Sequence, residues 1–275
     1  MSAKKGWNMI SRGYQDKTRI SLEDVHYGPI SPGESAFKLL GDVKGKRILE
    51  IGCGGGQNAI VLAKWGARSF GLDISEEQIK YAKKLAKNNK VDVSFYVGDM
   101  EDLSMFENES FDIVLSSCAI GYSQDPKQVF YEVFRVLQKG GLFVFCVVHP
   151  IASRGRKIRY GKRRIWGLGS YFDRRRRTWT WKIGKNVAKF YGYHRTFQDW
   201  FNSLVSTGFA VDRILEPEPY RLNEITDAER EKIPYFEEGY LKDYEVWRRT
   251  PFTILFKARK PQDYTYVTVS QQQHC

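Results

Sequence analysis

Zinc-ligand spacing, a disulfide framework and a membrane-length apolar run are all missing from this sequence. Its four cysteines, Cys53, Cys118, Cys146 and Cys275, are scattered and form no C-x-x-C pair. That excludes the common structural zinc patterns and a disulfide scaffold. Cys118 and Cys146 lie in apolar runs and read as buried thiols. No stretch of about 18 apolar residues occurs, so no segment reads as a bilayer-spanning helix. The opening MSAKKGWNMISRGYQ has no apolar core of signal-peptide length. The expectation is a cytoplasmic protein with no membrane partner. No internal repeat is visible, and no ligand cluster suggests a metal.

What the chain has in excess is positive charge. It carries 44 Lys and Arg against 32 Asp and Glu, a net charge of +12. The excess is local: Arg154 to Lys185 holds thirteen basic residues and one acid, Asp173, and the rest of the chain is formally neutral. Such asymmetry says more about partners than the pI does. A length of 275 residues with 42% hydrophobic content fits one large α/β domain, or one domain with lids.

The chain is organised around Arg47 to Asn58, RILEIGCGGGQN. The apolar run Ile48–Ile51 leads into four glycines in five residues, Gly52, Gly54, Gly55 and Gly56. A helical pattern follows from Ala59 and stops at Gly66. Strand, glycine turn and helix let a backbone approach a nucleotide closely. Two later acids add weight. Asp73 ends the next apolar run, 21 residues beyond Gly52, where a carboxylate can accept hydrogen bonds from ribose hydroxyls. Asp99 ends a third run, Val93 to Gly98; its other reading is a turn or cap aspartate. The dinucleotide fingerprint G-x-G-x-x-G needs glycine at position 57, which is Gln57 here, so an NAD-dependent dehydrogenase is disfavoured.

Glu50-Ile51-Gly52-Cys53-Gly54-Gly55-Gly56 resembles the E/D-x-G-x-G-x-G motif of class I S-adenosylmethionine-dependent methyltransferases. Within them the chain is most similar to the type 11 group, which methylates small molecules. The resemblance is specific over Arg47 to Pro150 and looser to Lys260; Lys139 replaces the usual proline of the L-K-P-G-G turn. It implies an α/β, Rossmann-like, doubly wound sheet of seven mostly parallel strands, the last antiparallel, with helical and loop lid insertions. It implies S-adenosyl-L-methionine as cofactor, held by Glu50, Gly52, Gly54, Gly56, Asp73, Ile74, Asp99, Met100 and Ser117. Residues 1–46 would cap the cofactor, with Tyr14 or Tyr27 over its methionine end; alternatively these aromatics fill the sheet edge. Residues 47–260 would form the methyltransferase domain, with lids at about 151–195 and 217–250. The last fifteen residues, 261–275, read as a polar tail.

Further strands are expected at 111–115, 142–148, 209–215 and 252–256, and helices at 33–40, from Asp125-Pro126, and from the capping box Thr196/Asp199. Two histidines are the candidate catalytic groups. His149 ends the fifth strand, where it would face the transferred methyl; His194, in Tyr-His-Arg-Thr before a helix, resembles an acceptor-side histidine of related enzymes. Each also reads as a structural residue. The basic insertion interleaves arginines with Tyr160, Trp166, Tyr171, Phe172, Trp179 and Trp181. It suits a lid over an anionic or aromatic small molecule, a nucleic-acid contact surface, or a hairpin with a solvated face, since Thr178 to Trp181 alternates at period two. The reading is a methyltransferase acting at oxygen or nitrogen of a small-molecule acceptor. The second reading is a tRNA or RNA methyltransferase gripping the backbone through 154–185. A third is a non-catalytic cofactor-binding subunit. No asparagine-proline-proline-tyrosine signature follows strand four, which argues against exocyclic amino groups of bases.

Overall fold

Ser2 starts the first helix, α1 (Ala3–Thr18), by accepting the amide of Lys5 on its side chain. The structure, a computed structural model, describes residues 2–160, 163–221, 224–230, 233, 235 and 244–263. The expected lid aromatics Phe236 and Tyr240, Cys275, and the tail beyond residue 263 lie outside the described residues. After α1 a single helical turn, α2 (Glu34–Phe37), replaces the helix expected over 33–40; Lys38 enters the left-handed region at φ 50° and ends it.

The alternation then runs β1 (Arg47–Ile51), α3 (Gln57–Lys64), β2 (Arg68–Asp73), α4 (Glu76–Asn88), β3 (Val93–Val97), β4 (Phe111–Ser117), α5 (Pro126–Val136) and β5 (Leu137–Val148). Asp125 caps α5 by accepting the amides of Lys127 and Gln128, with Pro126 in the first turn. β5 begins five residues before its expected start. Leu137 pairs with Phe111, and the Lys139–Gly141 stretch is a register irregularity inside the strand rather than a turn before it. The insertion supplies α6 (Pro150–Arg154) and two antiparallel hairpins. These are β6 (Gly155–Tyr160) with β7 (Arg163–Leu168), and β8 (Arg176–Ile183) with β9 (Asn186–Tyr193). α7 (Phe197–Thr207) opens on the Thr196/Asp199 capping box and closes at Gly208, φ 107°. Strands β10 (Ala210–Leu215) and β11 (Thr253–Arg259) complete the sheet.

Seven strands lie in the order β10-β11-β5-β4-β1-β2-β3. All neighbours are parallel except β11, which runs antiparallel to both β5 and β10. This is the expected fold. Alternate residues of the central strands serve opposite faces. Leu49 and Val114 meet Phe130 and Val133 of α5 and Trp200 and Leu204 of α7. Ile48, Ile113 and Leu115 meet Val61 and Leu62 of α3. Burial on both faces is why these strands read as near-continuous apolar runs. The chain reverses its winding between β1 and β4, and ligands of such sheets bind outside the carboxyl ends of the strands at that switch. Among the described residues, no helix is long and apolar enough to cross a membrane.

Candidate active site

A cavity of about 350 Å³ opens at the switch point, within the range of small-molecule sites. Its floor is the glycine loop after β1. Gly54 holds φ 52°, and a Cβ there would meet nothing closer than Gln15 Nε2 at 3.8 Å, so the bare backbone faces open space. Gly56 differs. Its φ is 77°, and a Cβ would stand 2.6 Å from Phe95 Cζ. It does not line the cavity; it lets α3 start tightly over β3. Gly56, expected at the cofactor, thus packs against Phe95 here.

Three acids lie around this floor. Glu50, 3% exposed, accepts Asn58 Nδ2 at 3.0 Å and Ala59 N at 3.1 Å. Burial raises its pKa to about 8 against those two donors. Asp73 accepts Gly54 N and Ser75 N, each at 2.9 Å, tying the glycine loop to the end of β2. Burial raises it to about 6. Asp99 is exposed to the cavity, with Met100 and Ile74 beside it. Glu101 lines the same wall and accepts Gln124 N at 2.7 Å. Against these four acids the lining holds one lysine, Lys4. The cavity is thus acidic in a chain of net charge +12. Acids in a dry cleft favour a cationic ligand and disfavour a pyrophosphate.

The roof comes from α1 and the β8–β9 hairpin. Gln57 Nε2 donates to Gln15 Oε1 at 2.6 Å, and Gln15 Nε2 donates to Gln78 Oε1 at 2.9 Å, which pins α1 across the loop. Tyr14 stacks on Trp181 at 5.7 Å and reaches the Tyr235 hydroxyl at 3.2 Å; all three line the cavity. Trp7 meets Tyr122, Trp181 and Phe190 edge-on or tilted.

Not every expected residue reaches the cavity. Tyr27 is fully buried against Leu39 and Val61, its hydroxyl 2.6 Å from Glu34 Oε2, so it belongs to the core. His149 turns away: its Nε2 is 2.7 Å from Glu216 Oε1, and its Nδ1 accepts Ile151 N to cap α6. His194 bonds Ser153 Oγ at 2.9 Å through Nδ1 and packs on Tyr171. Burial lowers both pKa values, and neither residue lines the cavity. The histidine that does is His26, in the segment expected to cap the cofactor but not itself among the expected site residues. Its Nδ1 is 3.2 Å from Ser117 Oγ, its carbonyl accepts that same hydroxyl at 3.0 Å, and burial lowers its pKa to about 4. Asn58 accepts its backbone amide at 2.9 Å and donates to its carbonyl at 3.4 Å, tying His26 to the start of α3 beside the glycine loop. Among the described residues, no group of three or more His, Cys, Asp or Glu is arranged to hold a metal.

A sheet of this order, with a glycine loop and flanking acids at its switch point, is consistent with the class I fold, and the chain is an S-adenosylmethionine-dependent methyltransferase. A family model described as a methyltransferase domain, Methyltransf_31, matches residues 42–164. That description carries the class and not a small-molecule subgroup. An S-adenosylmethionine-dependent methyltransferase of Mesorhizobium loti superposes with a TM-score of 0.60 at 28% identity, over 82% of this chain and 95% of that one. An uncharacterized Haemophilus influenzae protein is 28% identical over 80% of this chain and 92% of its own length. A ubiquinone biosynthesis O-methyltransferase of Coxiella burnetii is 31% identical over 39% of this chain; the match spans 45% of that enzyme.

The cofactor is S-adenosylmethionine, and the residues present fit it. An acidic floor suits its sulfonium and ammonium charges, and the open side of Gly54 leaves room for close approach.

Proposed function

We propose that the chain methylates oxygen or nitrogen of a small-molecule acceptor lying under the aromatic roof. One observation carries this reading: the two tryptophans of the β8–β9 hairpin, Trp179 and Trp181, point inward. Trp179 and Trp181 pack with Phe190 of β9 and Trp7 and Ile10 of α1, while Arg176, Thr178, Thr180 and Lys182 alternate outward. Rings packed into that cluster are withdrawn from base stacking, and among the described residues the exposed rings left beside the arginines are Phe172 and Tyr193. Trp181 and Tyr191 instead close the cavity from the hairpin side. The O-methyltransferase named above supports an oxygen acceptor.

In this reading Glu50, Asp73, Asp99, Met100, Ile74 and the backbone at Gly52 and Gly54 hold the cofactor. Bound there, the cofactor supplies an already activated methyl group on sulfur. The protein's own work is alignment, which contributes up to about 7–11 kcal/mol, and exclusion of water by the Tyr14–Trp181–Tyr235 roof. His26 is neutral at pH 7 and is the histidine placed to take an acceptor proton. A base of such low pKa is weak, and its contribution is expected at the lower end of the usual 10²–10⁴-fold.

The test is methyl transfer from labelled cofactor, run in parallel on total tRNA and on a small-molecule extract, at low and high salt. Label is expected in the small-molecule pool, nearly independent of salt. Label in tRNA that falls steeply with salt, and disappears when Lys182 and Lys189 are neutralised, would instead establish the RNA reading.

A further inference from the structure

Outside the acidic cavity, the insertion builds a second pocket of opposite charge. It encloses about 300 Å³ at the foot of the β8–β9 hairpin. Five arginines line it: Arg154 at the end of α6, Arg156 on β6, Arg175 just before β8, and Arg176 and Arg177 at its start. One acid, Asp173, faces them. Its two oxygens take Arg175 at 2.8 and 2.9 Å and Arg154 at 3.3 Å, and Arg175 holds its pKa well below the usual carboxylate range. The acid is fully engaged, and the pocket keeps a large positive excess.

Arg154 shows that the arrangement is built rather than incidental. Its side chain is 9% exposed, yet its Nε has no hydrogen-bond partner. A buried charged donor without an acceptor is costly. Gly169, which also lines the pocket, covers that edge without a side chain. A Cβ there would stand 3.5 Å from Arg154 Nη2 and 3.8 Å from Nε. The backbone fixes the pair: Gly169 N donates to Arg154 O at 3.0 Å, beside the Gly155–Leu168 register of the first hairpin. Arg177 donates to the Ser153 carbonyl and is held below its ordinary pKa by burial, with Arg154 and Arg156 adding repulsion.

We propose that this arginine pocket binds a phosphate-class oxyanion, either free phosphate or the phosphoryl group of a small molecule. Planar guanidinium forks match tetrahedral oxyanions bidentately, and several forks from two chain segments, 154–156 and 175–177, suit a group with three free oxygens better than a carboxylate. An occupant would join α6, β6 and β8 through one ion. β8 runs from Arg177 to Trp181 in four residues, about 13 Å of extended strand, so the same strand that holds the anion carries the roof of the methyl-transfer cavity. The proposal does not depend on which acceptor is methylated.

The experiment titrates the full chain with inorganic phosphate and, separately, with glycerol phosphate, by calorimetry at ionic strength held constant with chloride. One saturable site is expected. It weakens at least tenfold in the Arg156→Gln/Arg176→Gln double variant, both exposed positions, while S-adenosylmethionine affinity is retained. Lys182→Gln/Lys189→Gln, on the outward face of the hairpin, is the control and leaves the site intact. Tighter glycerol phosphate marks a small-molecule phosphoryl group; tighter inorganic phosphate marks the free ion. No saturable binding at matched ionic strength overturns the proposal. So does equal loss in the lysine control, or binding of an RNA oligonucleotide alone with steep salt dependence.

Discussion

Asp73→Asn is expected to lower the affinity for S-adenosylmethionine about 10²-fold, roughly 3 kcal/mol, by removing charge-assisted hydrogen bonds of the kind a carboxylate makes to ribose hydroxyls. Asparagine is the informative replacement. The Asp73 carboxylate also accepts Gly54 N and Ser75 N. Alanine would leave two buried amides without an acceptor and cost about 1–3 kcal/mol of stability for each. Gly54 N and Ser75 N bond different oxygens, so asparagine keeps an acceptor for one amide and loses the other, a smaller loss of fold than alanine's. Calorimetry gives the affinity and a denaturant midpoint gives the stability. Affinity within threefold of the parent would sink the assignment of Asp73 to the cofactor. The pH dependence has a definite sign. Burial raises the Asp73 pKa to about 6, so the ionised form, and with it cofactor affinity, is lost as pH falls through that value.

The glycine loop and its acids were legible because their chemistry is local. A positive φ at Gly52 and Gly54 and an acid at the end of β2 follow from chain order alone, once three parallel strands are recognised. Helix α1 was not legible. Its sequence carries two glycines and little intrinsic helical preference. It holds because Ile10 is buried against Ala188 and Phe190, and because Gly6 lets Phe190 approach to where a Cβ would stand 2.8 Å away. That is tertiary packing overriding propensity. The orientation of the two histidines was not legible for a related reason. Chain order places His149 at the right end of β5 and His194 before α7, but the partners that turn them aside, Glu216 and Ser153, come from remote segments. His26 carried no spacing signal: its link to the site runs through Asn58 and Ser117, neither of which repeats a motif around it. The alternation of Thr178 to Trp181 allowed a hairpin as one of three readings of the insertion, and β8–β9 is one. The structure turns Trp179 and Trp181 inward because α1 offers them an apolar partner.

Binding of S-adenosylmethionine near neutral pH is expected to release close to one proton, and the source is Glu50. Desolvation holds this carboxyl protonated up to about pH 8 in the cofactor-free protein. An ammonium group beside it favours the ionised form, so binding and deprotonation are linked. Affinity therefore rises with pH, by up to about tenfold per unit between pH 6 and 8. Above about 8 the gain stops, because Glu50 is already ionised and an α-amino group, with an ordinary pKa of about 7.7–8.0, loses its charge. Stability without cofactor runs the other way. The folded-state pKa lies above the unfolded value of about 4.3, so the Glu50 contribution declines as pH rises from there toward 8. The thermal stabilisation given by a fixed excess of cofactor should consequently grow from pH 6 to pH 8. Calorimetry in two buffers of different ionisation enthalpy counts the proton directly. Glu50→Gln is expected to abolish that release and weaken binding about 10- to 100-fold, the worth of one charge-assisted contact. Full affinity with an unchanged proton count in this variant would move the ammonium contact to another acid of the cavity, with Asp99 and Glu101 the accessible alternatives.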